Sequence, residues 1–248
     1  MEESTVVILL IAAVAFFMIG LAKGGLGATS ATLAMPLLAL VMPVSVVIGM
    51  ILPVLMLADI IAVGFHWRRW SNRLLVLLIP GALSGVILGT YFITNVPPDV
   101  LRTALGIIIL LFAAYKVFES RILGLFTYHP RNWHGVLAGS TSGFISTLAH
   151  TGGPPIGIYL LMQEVPPRTF VATSAMFFMI LNWIKVPFYF YAGIFDLERL
   201  RQIIWILPMV PLGVWTGKQI VVKIDPKVYE RIIVAILSVS ALLLIFKD

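Results

Sequence analysis

The sequence predicts an all-α polytopic membrane protein built from two homologous halves of about five helical segments each, and three observations lead there. The first is composition: 60% of the 248 residues are hydrophobic and only 11% are charged, too little polar surface to cover a soluble globule of this size. The second is an internal duplication. Residues 20–64 realign on 143–187 at a constant offset, setting Gly20 on Gly143, Pro43 on Pro166 and Asp59 on Asn182. A short insertion near residues 192–198 lengthens the offset, after which Pro80 falls on Pro208, Gly85 on Gly213, Gly89 on Gly217 and Pro98 on Pro226. The third is that one segment in each half is short and follows a glycine-rich break, as expected of broken helices near the membrane centre.

In order, the first half (1–127) offers segments at 5–22, 27–42, 44–65, 74–94 and 98–118. The second half (128–248) offers 132–148, 151–163, 168–191, 202–222 and 227–246. A helix needs about 20 residues to cross the ~30 Å hydrocarbon layer, so 27–42 and 151–163 stand out. The start, Met-Glu-Glu-Ser-Thr, lacks the basic region and cleavage site of a secretory signal, so the first helix is expected to be retained with its leading end outside.

Charge placement orients the segments. Trp67-Arg68-Arg69-Trp70 with Arg73, and the linker bearing Lys116, Arg121 and Arg131, are the most basic stretches and are expected in the cytoplasm. The turn Pro97-Pro98-Asp99 then lies outside, as does the mixed-charge loop with Asp196, Glu198, Arg199 and Arg201. Five crossings per half make the second half start on the opposite side, giving inverted repeats. Re-entrant short segments would give an even count and parallel halves instead.

The breaks carry the unusual chemistry. Lys23-Gly24-Gly25-Leu26-Gly27-Ala28-Thr29-Ser30 has as its mate Ser146-Thr147-Leu148-Ala149-His150-Thr151-Gly152-Gly153-Pro154-Pro155. Each interrupts an apolar run and opens a new helix, so unpaired N–H groups and the positive end of a helix dipole converge there, a geometry suited to anions. Within a membrane such backbone is tolerated only when it is buried in protein or lines a watery cavity. Gly25 and Gly27 permit close approach to a ligand, and Pro154 suits a first helical turn. The alternatives are glycines that pack helices together and a Lys23 that snorkels to the surface. For Gly81, Gly85 and Gly89, spaced by four and partly repeated at Gly213 and Gly217, packing is the expected role.

Ionisable groups inside helices complete the candidates. Asp59 stands roughly 9 Å along its helix from the end, and intramembrane charge is costly and functional by default. Its mate is Asn182, with Lys185 three residues on and facing the same way. A buried Asp59–Lys185 pair that only fixes register is the bland alternative. His150 is a lone histidine without a metal-ligand cluster, so hydrogen-bonded packing competes with a proton-responsive role. His66, His129 and His134 have interfacial surroundings.

Several classes fall away. With no cysteine, thiol catalysis, disulfides and thiolate metal sites are excluded. Neither G-x-S-x-G nor a multi-ligand metal motif is present, so no enzyme activity, metal or cofactor is expected. The 17 Lys and Arg against 11 Asp and Glu sit mostly in short loops, where they anchor lipid headgroups and do not signal nucleic acid. No phosphate-binding G-x-x-x-x-G-K-[ST] loop exists, so ATP would not drive a cycle from this chain.

The signatures Gly20-Leu-Ala-Lys-Gly-Gly-Leu-Gly27, Ser146-Thr-Leu-Ala-His-Thr-Gly-Gly-Pro-Pro155 and Phe177-Phe-Met-Ile-Leu-Asn-Trp-Ile-Lys185 resemble the sulfite exporter TauE/SafE family of bacterial membrane permeases, over almost the whole chain. The resemblance implies a multi-pass protein of the bacterial cytoplasmic membrane that exports sulfite, sulfonates and related anions. It supplies no list of site residues. From the residues themselves, a small oxyanion is expected to bind at Lys23, Gly25, Gly27, Thr29, Ser30, Ser146, Thr147, His150, Thr151, Gly152, Gly153, Asn182 and Lys185, at the interface of the halves. Asp59 and His150 are the candidates for proton coupling. An anion channel and a membrane-embedded assembly factor without transport are the rival readings, and self-association is left open.

Overall fold

The computed structural model describes residues 2–26, 31–124, 131–195, 201, 204–220 and 225–246. Among these the chain is helical throughout, with ten α-helices. In the first half they are α1 (Glu2–Leu21), α2 (Ala34–Ala39), α3 (Val44–Phe65), α4 (Asn72–Asn95) and α5 (Pro98–Gly124). In the second they are α6 (Asn132–Ala149), α7 (Gly153–Leu161), α8 (Pro167–Tyr191), α9 (Met209–Ile220) and α10 (Pro226–Phe246). Helices α3, α4, α8 and the Pro98–Glu119 part of α5 are long and apolar enough to cross a membrane. Large apolar side chains such as Leu10, Val76, Leu88, Leu111 and Leu243 stand exposed along the bundle, as lipid-facing positions do. Exposed Trp67, Tyr191 and Trp205 sit near helix ends, where aromatic rings favour the headgroup layer.

Of the segment expected at 27–42, residues 27–30 lie outside the described residues, while the segment expected at 151–163 forms a helix only at Gly153–Leu161. Helix α2 has 6 residues and α7 has 9, about 9 Å and 14 Å at 1.5 Å per residue, so neither spans the layer by itself. The expected helix at 202–222 is also different: a 3₁₀ turn at Ile204–Ile206 precedes α9. Pro208 stands between the two and has no N–H to offer the preceding turn, although Pro53, Pro80 and Pro187 are accommodated inside continuous helices.

Glycines set the tightest contacts. Helix α4 lies along α6, where a Cβ at Gly81 would collide with the Val136 carbonyl, one at Gly85 with the Ser140 carbonyl, and one at Gly89 with Thr147. From the other side, Gly139 and Gly143 meet Leu78 and Ala82 of α4. Helices α1 and α9 repeat the arrangement, with Gly20 and Gly24 against Gly213 and Gly217. Contacts advance in the same direction along both chains, so each pair is parallel. Without side chains between them, the backbones approach closely enough for dispersion to hold them where no hydrophobic force acts.

Helices α3 and α8 cross antiparallel. Near one end Gly49 abuts the Ile194 carbonyl; at the centre Asp59 meets Asn182; at the other end the Ser71 N–H donates to Thr173 Oγ1 at 3.0 Å. Helices α5 and α10 are antiparallel as well, joined at Gly106 with Ile245 and at Lys116 with Glu230, 2.7 Å apart.

Candidate anion site at the two helix breaks

Both breaks open onto one buried space. Helix α1 runs into a single π-helical turn at Ala22–Leu26, a local widening that often marks functional positions. This turn carries Lys23 inward. In the second half, α6 ends because His150 adopts the left-handed conformation, at φ 55°. Two residues of non-helical chain follow before α7 starts at Gly153, with a proline in its first turn. The resulting cavity of about 150 Å³ takes Lys23 and Thr32 from the first break, Ser146, His150, Thr151 and Gly153 from the second, and Asp59 and Asn182 from the crossing helices. Leu55, Phe112 and Phe178 complete its apolar wall. A larger hollow of about 410 Å³ lies at the turns joining α2 to α3 and α4 to α5, with Asp99 and Arg102 at its rim. It shares no residue with the polar cavity and contains no comparable set of bonded charges, so the smaller space is the candidate site.

A continuous chain of hydrogen bonds runs along its wall. Lys23 Nζ donates to Asp59 Oδ1 at 2.6 Å, and Asn182 Nδ2 donates to the other carboxylate oxygen at 2.7 Å. Asn182 Oδ1 accepts from Lys185 Nζ at 3.1 Å. Only this orientation of the amide satisfies both neighbours, since the carboxylate only accepts and the ammonium only donates. Lys185 Nζ also donates to the Ser146 carbonyl at 2.9 Å and to Ser146 Oγ at 2.8 Å. His150 Nδ1 is 3.4 Å from the same ammonium, and its Nε2 lies 3.0 Å from the Ile48 carbonyl. The carbonyl can only accept, so Nε2 carries the proton and Nδ1 is free to accept from Lys185.

Burial makes these bonds matter. Asp59 and Lys185 are both 0% exposed, and an isolated charge in such surroundings is too costly to persist without partners. The acid's ion partner is Lys23 and not Lys185, which corrects the register-fixing Asp59–Lys185 pair and the snorkelling Lys23 considered from sequence. Lys185 instead docks on the C-terminal turn of α6, sharing the Ser146 carbonyl with the His150 N–H, which donates to it at 3.0 Å. Tyr189 does the same one residue along, its hydroxyl donating to the Thr147 carbonyl at 2.7 Å. Thr151 Oγ1 is buried, lines the cavity and has no hydrogen-bond partner.

The residues singled out from sequence therefore divide. Lys23, Ser146, His150, Thr151, Gly153 and Asn182 line the cavity together with Asp59. Lys185 stands behind Ser146 and Asn182. Thr147 turns its hydroxyl back to the Gly143 carbonyl, and Gly152 is wedged against Ser142, whose hydroxyl donates to the Gly152 carbonyl at 2.6 Å. Gly25 belongs to the π-helical turn. Gly27, Thr29 and Ser30 lie outside the described residues, as do Asp196, Glu198, Arg199 and His129. Sequence reasoning missed Thr32, two positions past the serine of the break, and Phe178, whose ring centroid is 5.9 Å from Lys23 Nζ. The threonine was within reach of the motif, but nothing local separates Phe178 from the other aromatics of α8.

Broken helices around a polar cavity inside a bundle of apolar spans define a multi-pass membrane protein of the transporter class. The sulfite exporter TauE/SafE family model matches residues 11–244, and the chain belongs to that family. This is a family of membrane transporters and not of enzymes. No curated protein and no solved structure matches the chain.

Proposed function

We propose that this protein carries small sulfur-containing anions, sulfite or organosulfonates, outward across the membrane by alternating access between inverted repeats formed by residues 1–127 and 128–248. The observation that carries the reading is the cavity where both helix breaks meet, lined by Lys23 and by the unpartnered Thr151 hydroxyl two residues ahead of α7. The N-terminal end of α7 contributes partial positive charge, and Lys23 a full one. An entering anion competes with Asp59 for Lys23, so the carboxylate holds the cation in place when substrate is absent.

Helix directions support the inverted arrangement. Helices α3 and α8 are repeat mates and cross antiparallel, as do the mates α5 and α10, while α4 lies on α6 as α9 lies on α1. A two-fold axis in the membrane plane produces this set of relations, with the Asp59–Asn182 bond between equivalent positions next to the axis. Rocking of one half against the other would then open the cavity to either side in turn.

Purified protein in liposomes should take up sulfite or methanesulfonate saturably, faster with a potential positive on the destination side. Flux that never saturates would favour a channel. Absence of both binding and flux across sulfite, sulfate, thiosulfate, sulfoacetate and taurine, with the protein folded, would sink the transport reading and favour an assembly factor.

A further inference from the structure

We propose that a membrane phospholipid with an ethanolamine headgroup docks where α2 turns into α3 and α4 into α5, its phosphate on Arg102, its ammonium on Asp99 and one acyl chain along α10. This goes beyond the transport reading and does not depend on it. The headgroup site is the hollow of about 410 Å³ at those turns. Three membrane-crossing helices end there: α3 begins at Val44, α4 finishes at Asn95 and α5 begins at Pro98. The ends of spanning helices lie at the level of the lipid headgroups.

Two opposite charges on the wall of this hollow leave each other alone. Asp99 and Arg102 stand three residues apart on α5, close enough on a helix face to pair. Yet among the described residues neither takes part in an ion pair, and Arg102 Nε is buried without a hydrogen-bond partner. A guanidinium has five N–H donors, and leaving one buried and unsatisfied is costly. Its planar fork matches two oxygens of a phosphate. Asp99 is exposed in the first turn of α5, where its carboxylate is free to accept from an amine at the rim. A zwitterion with a phosphate and a primary ammonium two carbons apart answers both groups at once, since side chains at this spacing have Cβ atoms about 5–6 Å apart.

Leu40 carries the site from headgroup to hydrocarbon. It lines the hollow and also an adjoining groove of about 440 Å³ whose other walls are Val239, Leu242, Leu243 and Phe246 of α10. Those four side chains are exposed. No polar side chain lines the groove among the described residues, which suits an acyl chain and not a soluble anion. The choice of headgroup follows from the lining. A choline ammonium has no N–H to give Asp99 and is held by aromatic faces, which the hollow lacks among its described residues. A glycerol headgroup brings no cation to Asp99.

The test is native mass spectrometry of the full-length protein released from detergent and titrated with palmitoyl-oleoyl phosphatidylethanolamine, phosphatidylcholine or phosphatidylglycerol, reading the affinity of the first lipid bound. The ethanolamine lipid should bind about ten-fold more tightly than either of the others, the difference that one charge-assisted hydrogen bond makes. Asp99→Asn should erase that preference, and Arg102→Gln should weaken all three lipids by about ten-fold. Asp99 is exposed, so its replacement keeps the test open should Arg102→Gln misfold. Glycerophosphoethanolamine, which has the headgroup and no chains, should fail to displace the bound lipid. Equal binding of the three lipids by the unaltered protein, or a preference unmoved by Asp99→Asn, would overturn the proposal in favour of unselective lipid contact. Displacement by glycerophosphoethanolamine would overturn it in favour of a site for soluble phosphates. Anion transport stands or falls separately from all of these outcomes.

Discussion

Replacing Lys23 by Met strips the buried carboxylate of Asp59 of its cation, and the cost follows from the geometry. Asp59 has a side-chain exposure of 1% and accepts two hydrogen bonds, one from Lys23 at 2.6 Å and one from Asn182 at 2.7 Å. Removing one member of a buried pair costs about 3–5 kcal/mol, because the other charge stays behind without its partner. Lys23 is 22% exposed, so water reaches part of the site and the lower end, about 3 kcal/mol, applies. In a chain of this size each kcal/mol moves the melting temperature by roughly 2–4 °C, which gives a fall of roughly 6–12 °C for Lys23→Met. Adding Asp59→Asn removes the stranded charge and should restore most of the loss. Thermal unfolding of both variants in nanodiscs measures this directly. A single variant as stable as the unaltered protein, or a double variant no better than the single, would refute the buried-pair account. The double variant also keeps the net charge of the site, so flux that stays absent while stability returns assigns Lys23 a direct contact with substrate.

Other outcomes follow from the same geometry. Gly153→Val should leave the fold intact and cut flux at least ten-fold, since a Cβ there meets no atom within 4 Å and points into lining space; Gly152→Val, pressed on Ser142, should instead lower stability by about 1–3 kcal/mol. Lys185→Met should destabilise by about 1–3 kcal/mol, the cost of leaving the buried Asn182 oxygen without its donor while the Ser146 carbonyl keeps the His150 N–H; a normal melting temperature would argue against the Lys185–Asn182 bond. In this cysteine-free chain, cysteines at the exposed positions Asn72 and Tyr191 should label from opposite faces of the membrane, and labelling from one face would count against inverted halves.

Composition and periodicity determined most of the architecture. Long apolar runs admit only one solution in lipid, the helix that satisfies its own backbone, so α3, α4, α5 and α8 were legible to within a few residues. The alignment of Asp59 with Asn182 and of Gly85 with Gly213 is likewise a matter of sequence alone. The glycine breaks announced themselves because glycine and proline disfavour helix through local backbone physics. Local physics also limited the reading. It marked Lys23, Asp59, Asn182 and Lys185 as costly but could not say which would pair. Asp59 had Lys185 in the matching segment of the other half and Lys23 in its own, and sequence offered no distance to either. Only the antiparallel crossing of α3 and α8, with the π-helical turn swinging Lys23 inward, gave the acid to Lys23 and left Lys185 to the end of α6. Thr147 and Lys185 shared the polarity of true lining residues yet face protein, because which side of a helix meets the cavity depends on neighbours hundreds of atoms away along the chain. The sequence by itself thus determined where charge would be buried, through the free energy of solvation; the tertiary structure decided what each charge touches, because pairing depends on directions that no single segment encodes.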